Sequence, residues 1–317
     1  MKKALSLIIV LVIAAISVLS AAAADIPKNP TEFQHNDYPG IEFANDWDDN
    51  LMVTGYTGTN PQLIVPESVY NKNVIRFEEN SLEGNTVVRS VIMNDNMTNI
   101  RDRAFYQCSN LSYFYFSQKL QVIGKSVFTY DSGLACAFMR NTVINQIDSN
   151  AYMNCANLEY VSLPDSIKTI NGAGFYGTAV RKIVIPNGAE IIGARSFANN
   201  SKLEKIYVPA SVVSIGSDVF HNSPNVTVYT PEGSAMQTYC QEKNIKCETF
   251  SEENFPSRIL GDTNGDNEVN INDVTFIQRE IAGYKTEFYP DNCDFNGDCK
   301  FNINDATDVQ FRLVGLK

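Results

Sequence analysis

Two twelve-residue stretches near the C-terminus have the composition of a site for a hard metal ion. They read DTNGDNEVNIND (262–273) and DFNGDCKFNIND (294–305). Each places oxygen-bearing side chains at positions 1, 3, 5, 9 and 12, with a backbone carbonyl available at position 7. Calcium takes about six to eight oxygen ligands, and this spacing allows one loop to wrap a single ion. The duplicated pattern therefore predicts two calcium ions.

The predicted ligands are the same kinds of group in both loops. In the first loop they are the side chains of Asp262, Asn264, Asp266, Asn270 and Asp273 and the carbonyl of Glu268. In the second loop they are the side chains of Asp294, Asn296, Asp298, Asn302 and Asp305 and the carbonyl of Lys300. Carboxylates this close together repel one another unless a cation lies between them. The alternative is a pair of Asn- and Asp-rich turns that bind no ion.

The chain is acidic, and much of its negative charge lies at this end. Its formal net charge is −11, of which residues 259–317 supply −6, from eleven acidic and five basic side chains. Two calcium ions would reduce that −6 to about −2. A balance this acidic argues against nucleic acid or anionic lipid as a partner.

Each loop runs into an apolar segment with helical spacing, NINDVTFIQREIAG (270–283) and NINDATDVQFRLVG (302–315). A standard EF-hand has Glu at position 12, Gly at position 6 and a helix before the loop. Here position 12 is Asp, position 6 is Asn or Cys, and the residues before the first loop predict no helix. A loop with an exit helix and no entering helix, present twice, resembles a type I dockerin. The resemblance covers about residues 259–317.

The resemblance to a dockerin implies a partner. Dockerins attach secreted proteins to the cohesin domains of a scaffoldin in cellulosome-forming bacteria. The implied cohesin-binding residues lie at positions 10 and 11 of each loop and along the helices: Ile271, Asn272, Gln278, Arg279, Ile303, Asn304, Gln310 and Phe311. The identical Ile-Asn pairs would allow either copy to face the cohesin, whereas Arg279 against Phe311 breaks that symmetry.

The middle of the chain is a repeat that must be described before any site is placed. An apolar residue is followed five positions later by an aromatic one in IRDRAF (100–105), IGKSVF (123–128), IDSNAY (147–152), INGAGF (170–175), IGARSF (192–197) and IGSDVF (215–220). A weaker copy, FEENSL (77–82), makes seven units with a period of 22 to 24 residues. Short alternating segments such as VRKIVIP (180–186) lie between them and predict one strand per unit. This period predicts a leucine-rich-repeat solenoid.

The I-G-x-x-x-F units, each followed by a strand that ends in Pro, resemble the leucine-rich repeats of BspA-like bacterial surface proteins over roughly residues 60–250. We expect 53–69 to form an entry strand pair and 233–244 to form a helix that caps the last turn. Unit 128–152 lacks the Pro and the regular alternation of the others. Gly124, Gly193 and Gly216 follow the repeated Ile and are expected at turns with positive φ.

The N-terminus predicts export. Two lysines precede an apolar run from 4 to 19 and an Ala-rich stretch that offers a cleavage site, which is typical of a signal peptide; an uncleaved membrane anchor is the alternative. We expect no further membrane span after cleavage. The predicted organisation is: 1–24 signal peptide, 25–60 N-terminal cap, 61–250 leucine-rich-repeat solenoid with its cap helix, 251–258 linker, 259–317 dockerin.

The seven cysteines do not predict a disulfide framework. Cys108 and Cys155 occupy equivalent places in the repeat and are expected to be small buried apolar groups. The pairs Cys293–Cys299 and Cys240–Cys247 remain open, as disulfides or as thiols.

The sequence offers little for catalysis. His35 and His221 are the only histidines, and neither lies in a nucleophile motif. Glycoside hydrolysis needs two carboxylates facing each other across a cleft, and residues 25–60 are too few for a catalytic domain. NDWDDN (45–50) could bind a sugar or an ion, although a solvated turn is the simpler interpretation.

The predicted fold class is therefore α+β/solenoid: a leucine-rich-repeat β-solenoid of about seven units, followed by a small all-α dockerin with two EF-hand-like calcium loops. The predicted function is a non-catalytic binding or adhesion component, secreted to an extracellular or cell-surface complex. Its dockerin would attach it to a scaffoldin cohesin, and its repeats would recognise an unidentified protein or glycan. The alternative is an accessory or catalytic component that degrades polysaccharide.

Overall fold

The computed structural model describes residues 33–251, 255–256, 261–263, 268–282 and 303–315. The predicted signal peptide, 1–24, lies outside the described residues, and so do Cys293 and Cys299. Within the described part of the chain no helix is both long and apolar enough to cross a membrane.

Short strands dominate the described residues. In chain order they are β1 (Phe33–Gln34), β2 (Ile41–Asn45), β3 (Leu51–Tyr56), β4 (Gln62–Ile64), β5 (Ser68–Val69), β6 (Lys72–Phe77), β7 (Ser90–Ile92), β8 (Asn99–Ile100), β9 (Tyr113–Tyr115), β10 (Val122–Ile123), β11 (Cys136–Phe138), β12 (Gln146–Ile147), β13 (Tyr160–Ser162), β14 (Thr169–Ile170), β15 (Lys182–Val184), β16 (Ile191–Ile192), β17 (Lys205–Tyr207), β18 (Ser214–Ile215), β19 (Thr227–Pro231) and β20 (Cys247–Phe250). The helices are α1 (Ala235–Lys243), α2 (Ile271–Ile281) and α3 (Ile303–Leu313).

The strands form two parallel ladders, as expected for a solenoid. One ladder, of strands three to five residues long, pairs as β4-β7-β9, β11-β13 and β15-β17-β19-β20. The other consists of two-residue strands that follow the longer β6, and it pairs as β6-β8-β10 and β12-β14-β16-β18. Within residues 33–251 both ladders are interrupted at the unit 128–152, before β11 and β12, and the first ladder is interrupted again between β13 and β15. The chain makes about nine turns rather than the predicted seven. The count of motifs in the sequence missed the turns that contain β4 and β20. Each end turn packs against a neighbouring turn on one side only, so it does not need the repeated Ile and Phe.

The two ends of the solenoid are closed by different devices. At the N-terminal end the antiparallel hairpin β2–β3 precedes the first turn, and β3 then pairs in parallel with β6. The expected strand pair within 53–69 is wrong, since β3 and β4 belong to different sheets. At the other end α1 forms where a cap helix was expected. Ser234 accepts a hydrogen bond from the Gln237 amide at 3.2 Å, and Asn244 ends the helix with φ of 55°.

A stack of aromatic rings runs through the interior. Ring centroids lie 5.7 Å apart between Phe105 and Phe128, 5.1 Å between Phe128 and Tyr152 and 5.3 Å between Tyr152 and Phe175. The stack continues through Phe197 to Phe220. These are the aromatic residues of the repeated motif, and each fully buried ring contributes about 2–3 kcal/mol of hydrophobic stabilisation. The core therefore extends along the solenoid instead of closing within one unit.

The glycines after the repeated Ile serve close packing and not positive φ. None of Gly124, Gly193 and Gly216 has a positive φ. The positive φ falls two positions later, on residues such as Ser126 and Arg195. A Cβ on Gly216 would lie 2.2 Å from the Ala194 nitrogen, and one on Gly193 would lie 2.6 Å from the Gly172 nitrogen. The expectation of positive φ was wrong because the backbones of successive turns meet at this position.

Gly216→Ala is therefore expected to destabilise the solenoid by about 1–3 kcal/mol, since the new methyl group would meet backbone that cannot move aside. Gly172→Ala is the matched control, because its Cβ would lie 3.4 Å from its nearest neighbour, the Ala194 oxygen. We expect the control to change the unfolding free energy by less than about 0.5 kcal/mol. Urea unfolding of both variants measures the difference, and equal losses would contradict the packing argument.

A line of polar side chains joins successive turns at the position of Cys108. Several of these side chains donate a hydrogen bond to a main-chain carbonyl of the preceding turn: Cys108 Sγ to Leu82 O at 2.9 Å, Cys155 Sγ to Phe128 O at 2.9 Å, Asn200 Nδ2 to Phe175 O at 3.0 Å and Ser223 Oγ to Phe197 O at 2.9 Å. The expectation that Cys108 and Cys155 are small buried groups is confirmed, because both are free and buried. Their thiols also tie one turn to the next.

Asp131 occupies this position in the unit that departs from the pattern. It is fully buried, and its Oδ1 accepts a hydrogen bond from the Cys108 amide at 2.6 Å. Its Oδ2 has no hydrogen-bond partner. Asn200, at the equivalent position, accepts from the Thr178 amide with Oδ1 and donates with Nδ2. Asp131 thus supplies the hydrogen-bond acceptor that Asn200 supplies in its own unit. It can supply the matching hydrogen-bond donor only when its carboxyl group is protonated.

Candidate functional site: the C-terminal loop and helices

The two C-terminal helices pack against each other through a small apolar core. Val274 and Ile277 of α2 and Ala306 and Val309 of α3 are buried against one another, with Val269 at the margin. The i, i+3 spacing places each pair on one face of its helix. The core is too small to stabilise the segment by itself, because domains this short normally need a disulfide, a metal or a partner.

The described part of the first loop is organised around Asp273. Its Oδ1 accepts from the Thr263 amide at 2.7 Å, and its Oδ2 accepts from the Asn270 amide at 2.8 Å. The Thr263 hydroxyl donates to the Asp273 carbonyl at 2.9 Å. Asp262, at the first loop position, and Asp273, at the twelfth, are both fully buried. The first and last residues of the predicted loop therefore belong to one enclosed structure at the start of α2.

The predicted ligands that the structure describes are of the chemical type that calcium prefers. Asp305, at the twelfth position of the second loop, is fully buried like Asp262 and Asp273. Burying ionised carboxylates is costly without a compensating charge, and oxygen donors of this kind suit a hard cation. Within the described residues no group of three or more His, Cys, Asp or Glu side chains could hold a metal. The other predicted side-chain ligands, together with Lys300, lie outside the described residues: Asn264, Asp266, Asp294, Asn296, Asp298 and Asn302.

Two further described residues of the first loop, Asn270 and Glu268, accept hydrogen bonds near the start of α2. Asn270 Oδ1 accepts from the Asn272 amide at 2.8 Å, which shapes the turn into the helix. The Glu268 side chain is exposed and accepts from Asn270 Nδ2 at 3.3 Å. The Glu268 side chain is therefore not buried in the loop, and the ligand predicted from this residue is its backbone carbonyl.

The predicted partner-binding residues all lie on the exposed surface of α2 and α3. Ile271 is 59% exposed, Ile303 is 55% exposed and Phe311 is 41% exposed. The polar members are exposed too: Asn272, Gln278, Arg279, Asn304 and Gln310. Sequence reasoning missed further exposed apolar side chains at the ends of the helices: Ile281, Leu313 and Val314. In the sequence, each of these is an apolar residue that follows the last buried residue of its helix.

On the solenoid, the three-residue strands carry ordered charged and aromatic side chains. Arg181 lies between two glutamates, with its Nε 2.6 Å from Glu159 Oε1 and its Nη1 3.4 Å from Glu204 Oε1. The Tyr207 and Tyr229 rings stack with centroids 4.8 Å apart. Lys182 Nζ lies 5.6 Å from the Tyr207 ring and Lys205 Nζ lies 5.9 Å from the Tyr229 ring, both within cation–π range. The ladder register places these groups in rows across neighbouring turns.

The acidic cluster near the N-terminus forms a turn between β2 and β3. Asp46 Oδ1 accepts from the amides of Asp48 at 3.0 Å and Asn50 at 2.8 Å, so this carboxylate is used by the turn itself. Trp47 is 96% exposed at its tip. His35 lies against the Tyr70 ring, at 4.7 Å between centroids, and not beside a nucleophile.

Comparison with known proteins agrees with this architecture. A family model described as BspA type Leucine rich repeat region matches the chain in six copies, over residues 64–178 and 138–259. The chain belongs to the BspA-type leucine-rich repeat family. A second model, Dockerin type I domain, matches residues 260–313. The two recognised resemblances are thereby confirmed, and both kinds of domain are binding modules without catalytic chemistry of their own.

Solved structures of leucine-rich repeat proteins match the chain at low identity. A leucine rich cell surface protein from Faecalibacterium prausnitzii is 19% identical, with a TM-score of 0.43, covering 63% of this chain and 76% of that one. A leucine-rich repeat protein of T. pallidum is 15% identical, with a TM-score of 0.45, covering 78% and 94%. One from Bacteroides ovatus is 16% identical, with a TM-score of 0.30, covering 67% and 98%. No curated protein matches the chain.

Proposed function

We propose that this chain is a secreted, non-catalytic component of an extracellular or cell-surface complex. Its dockerin docks onto a scaffoldin cohesin in a calcium-dependent manner, and its leucine-rich repeats bind a protein or glycan. The observation that carries the proposal is the combination, in one short segment, of fully buried loop carboxylates with exposed apolar side chains on the helices that follow. The first feature calls for a cation and the second for a protein partner.

Two calcium ions would be held by the two loops. In the described residues, Asp262, Asp273 and Asp305 supply carboxylates that are already enclosed. Bound calcium supplies the positive charge that lets these carboxylates stay buried and ionised. The hydrogen bonds from the Thr263 and Asn270 amides hold Asp273 in place at the start of α2. Loop order and helix order are therefore linked, and metal binding contributes directly to folding.

The cohesin would be bound by the exposed faces of α2 and α3. Ile271 and Ile303 stand at the same position of the two helices and are exposed to almost the same extent. Exposed aromatic and aliphatic side chains with polar neighbours form the usual centre of a protein interface. Phe311 gives α3 an apolar group where α2 has Arg279, so the two sets of predicted contact residues differ at this position.

The leucine-rich repeats would present their strand ladder to a second ligand. The Glu159–Arg181–Glu204 ion pairs and the stacked Tyr207 and Tyr229 rings supply both charged and flat apolar groups there. Such a row suits a protein surface or a sugar ring equally. The strands β15, β17 and β19 pair in register, which favours an extended binding face.

Variants of the two isoleucines test the cohesin surface. The double variant Ile271→Asp with Ile303→Asp is expected to weaken cohesin binding of the full chain by at least about 30-fold, because a charge would enter the apolar centre of the interface. Each single variant is expected to have a smaller effect if either helix can face the cohesin. Surface plasmon resonance on immobilised type I cohesins in calcium gives the affinities.

Val213→Asp is the matched control, since Val213 is 72% exposed but lies on the solenoid. It should bind cohesin like the unchanged chain. A double variant with unchanged affinity would show that the cohesin is bound elsewhere, and the proposed surface would be wrong.

A further inference from the structure

The C-terminal end of the solenoid is closed by two elements that meet at a pair of cysteines. The helix α1 packs over the last turns through Met236, Tyr239 and Cys240, which are all buried. The Tyr239 hydroxyl accepts a hydrogen bond from the Val219 amide at 2.9 Å, which fixes the helix against the preceding turn. The strand β20 follows at once and pairs in parallel with β19, with Cys247 opposite Val228.

The two cysteines face each other across this closure. Cys240 lies in the last turns of α1 and is fully buried, and Cys247 begins β20 and is partly exposed. The two thiol groups are close enough for each to shift the pKa of the other. The chain between them reverses at Asn244, which has φ of 55°, and the Ile245 amide donates to the Cys240 carbonyl at 2.9 Å. Both cysteines belong to the same apolar cluster.

Contact between the two thiols distinguishes this pair from the other free cysteines. Cys108 and Cys155 each donate to a backbone carbonyl at 2.9 Å. Cys240 and Cys247 instead have one another as neighbours, on two different elements that share one apolar cluster.

We propose that Cys240 and Cys247 form a disulfide that fastens the cap helix to the last strand when the chain meets an oxidised small-molecule disulfide, such as oxidised glutathione. The inference does not depend on the proposed cohesin or ligand binding. It assigns a modification site to the end of the solenoid.

The reaction is thiol–disulfide exchange in two steps. The Cys247 thiolate attacks one sulfur of the oxidant, whose S–S bond breaks, and one small thiol leaves after taking a proton. Cys240 then loses its proton, its sulfur attacks the Cys247 sulfur in the mixed disulfide, and the second small thiol leaves. Two electrons pass from the two cysteines to the oxidant, and two protons end on the two released thiols.

The environment of the two thiols sets this order. Burial raises the pKa of Cys240 to about 12, so its thiolate is rare at neutral pH. Burial raises the pKa of Cys247 as well, and the neighbouring Cys240 thiol partly offsets that rise. Cys247 is also the one that solvent can reach. The first attack therefore belongs to Cys247, and Cys240 completes the bond.

The disulfide would act where the solenoid is weakest. β20 has a strand on one side only, so fraying of the ladder begins there. Linking β20 to α1 removes the unfolded conformations in which the cap and the last strand separate. We expect amide exchange in α1 and β20 to slow by at least about tenfold on oxidation.

The test uses the full chain, incubated in a buffer of oxidised and reduced glutathione, then alkylated while denatured and mapped by mass spectrometry. The expected result is a linked peptide pair that contains Cys240 and Cys247, together with slower hydrogen exchange over 235–250. Recovery of both cysteines in alkylated form, or linkage of either to another cysteine, would overturn the proposal.

Two variants test the order of attack and protect the result against misfolding. Cys240→Ser leaves the reachable cysteine, and we expect it to accumulate a glutathione adduct on Cys247. Cys247→Ser leaves the buried one, and we expect no adduct on Cys240. An adduct on Cys240 at the same rate as on Cys247 would contradict the assigned order. Because the linked peptide is sought in the unchanged chain, the proposal stays testable if a variant fails to fold.

Discussion

Asp131→Asn is expected to raise the unfolding free energy of the solenoid by about 1–3 kcal/mol at neutral pH. Asp131 is fully buried, and its Oδ2 lies without a hydrogen-bond partner. An amide at this position would accept from the Cys108 amide with its oxygen and donate with its nitrogen to the carbonyl of Phe105. Asn200 makes the same pair of bonds three units of chain later, to Thr178 and Phe175.

The same argument predicts a pH dependence of the unchanged chain. Burial raises the pKa of Asp131 well above its usual range, and the hydrogen bond from the Cys108 amide lowers it only in part. The folded state therefore keeps a proton that the unfolded state loses near pH 4. This contribution to stability is fully present below about pH 4 and is lost as the pH rises from there towards the raised pKa of the folded state.

Thermal or urea unfolding between about pH 4 and pH 8 measures both effects. The unchanged chain should lose stability over this range more steeply than Asp131→Asn. Asn200→Asp is the reciprocal control, because it places a carboxyl at the equivalent buried position. It should acquire a similar pH-dependent loss. A variant Asp131→Asn that is less stable than the unchanged chain at pH 7, or that keeps its pH dependence, would show that Asp131 is ionised in the fold.

Removal of calcium is expected to unfold the C-terminal helices while the solenoid stays folded. The helices share a core of only four buried apolar side chains in the described residues, and three carboxylates of the same segment, Asp262, Asp273 and Asp305, are fully buried. Without a cation, no opposite charge of a metal offsets the cost of burying those carboxylates. The solenoid keeps its own continuous core and has no such requirement.

Limited proteolysis of the full chain, with calcium and with chelator, separates the two outcomes. With chelator, cleavage should occur within 259–317 and leave a resistant fragment that contains the repeats. Asp273→Ala should weaken calcium binding by at least about tenfold, since it removes a proposed ligand and the acceptor for two loop amides. Asp308→Ala, on α3 but outside the predicted ligand set, should bind calcium normally. A C-terminal segment that resists the protease in chelator would refute the linkage of metal and folding.

The repeat was predictable because every turn of a solenoid needs the same kinds of buried side chain at the same positions. The Ile and aromatic positions of the motif form the stacked core, as Phe105, Phe128 and Tyr152 show. The end turns were not counted because β4 and β20 each pair with a strand on one side only, so these turns need not carry the full motif. The role of Gly216 was misjudged because its contact with Ala194 joins residues of different turns, which no local pattern reveals.

The C-terminal site was predictable in residue type and less so in arrangement. Loop spacing indicated the carboxylates, and Asp262, Asp273 and Asp305 are buried in the fold. The assignment of α2 and α3 to cohesin binding depends on the resemblance to a dockerin, because exposure of a side chain does not identify its partner. The sequence left the pairing of Cys240 with Cys247 undecided, because the end of α1 and the start of β20 come together only in the folded chain.

The most direct test of the central proposal is calorimetric titration of the full chain with type I cohesins, in calcium and in chelator. We expect tight binding in calcium and at least about a hundredfold weaker binding in chelator. Binding that is equally tight without calcium would contradict the proposed role of the loops. Calcium uptake by the chain without binding to any cohesin would contradict the proposed partner.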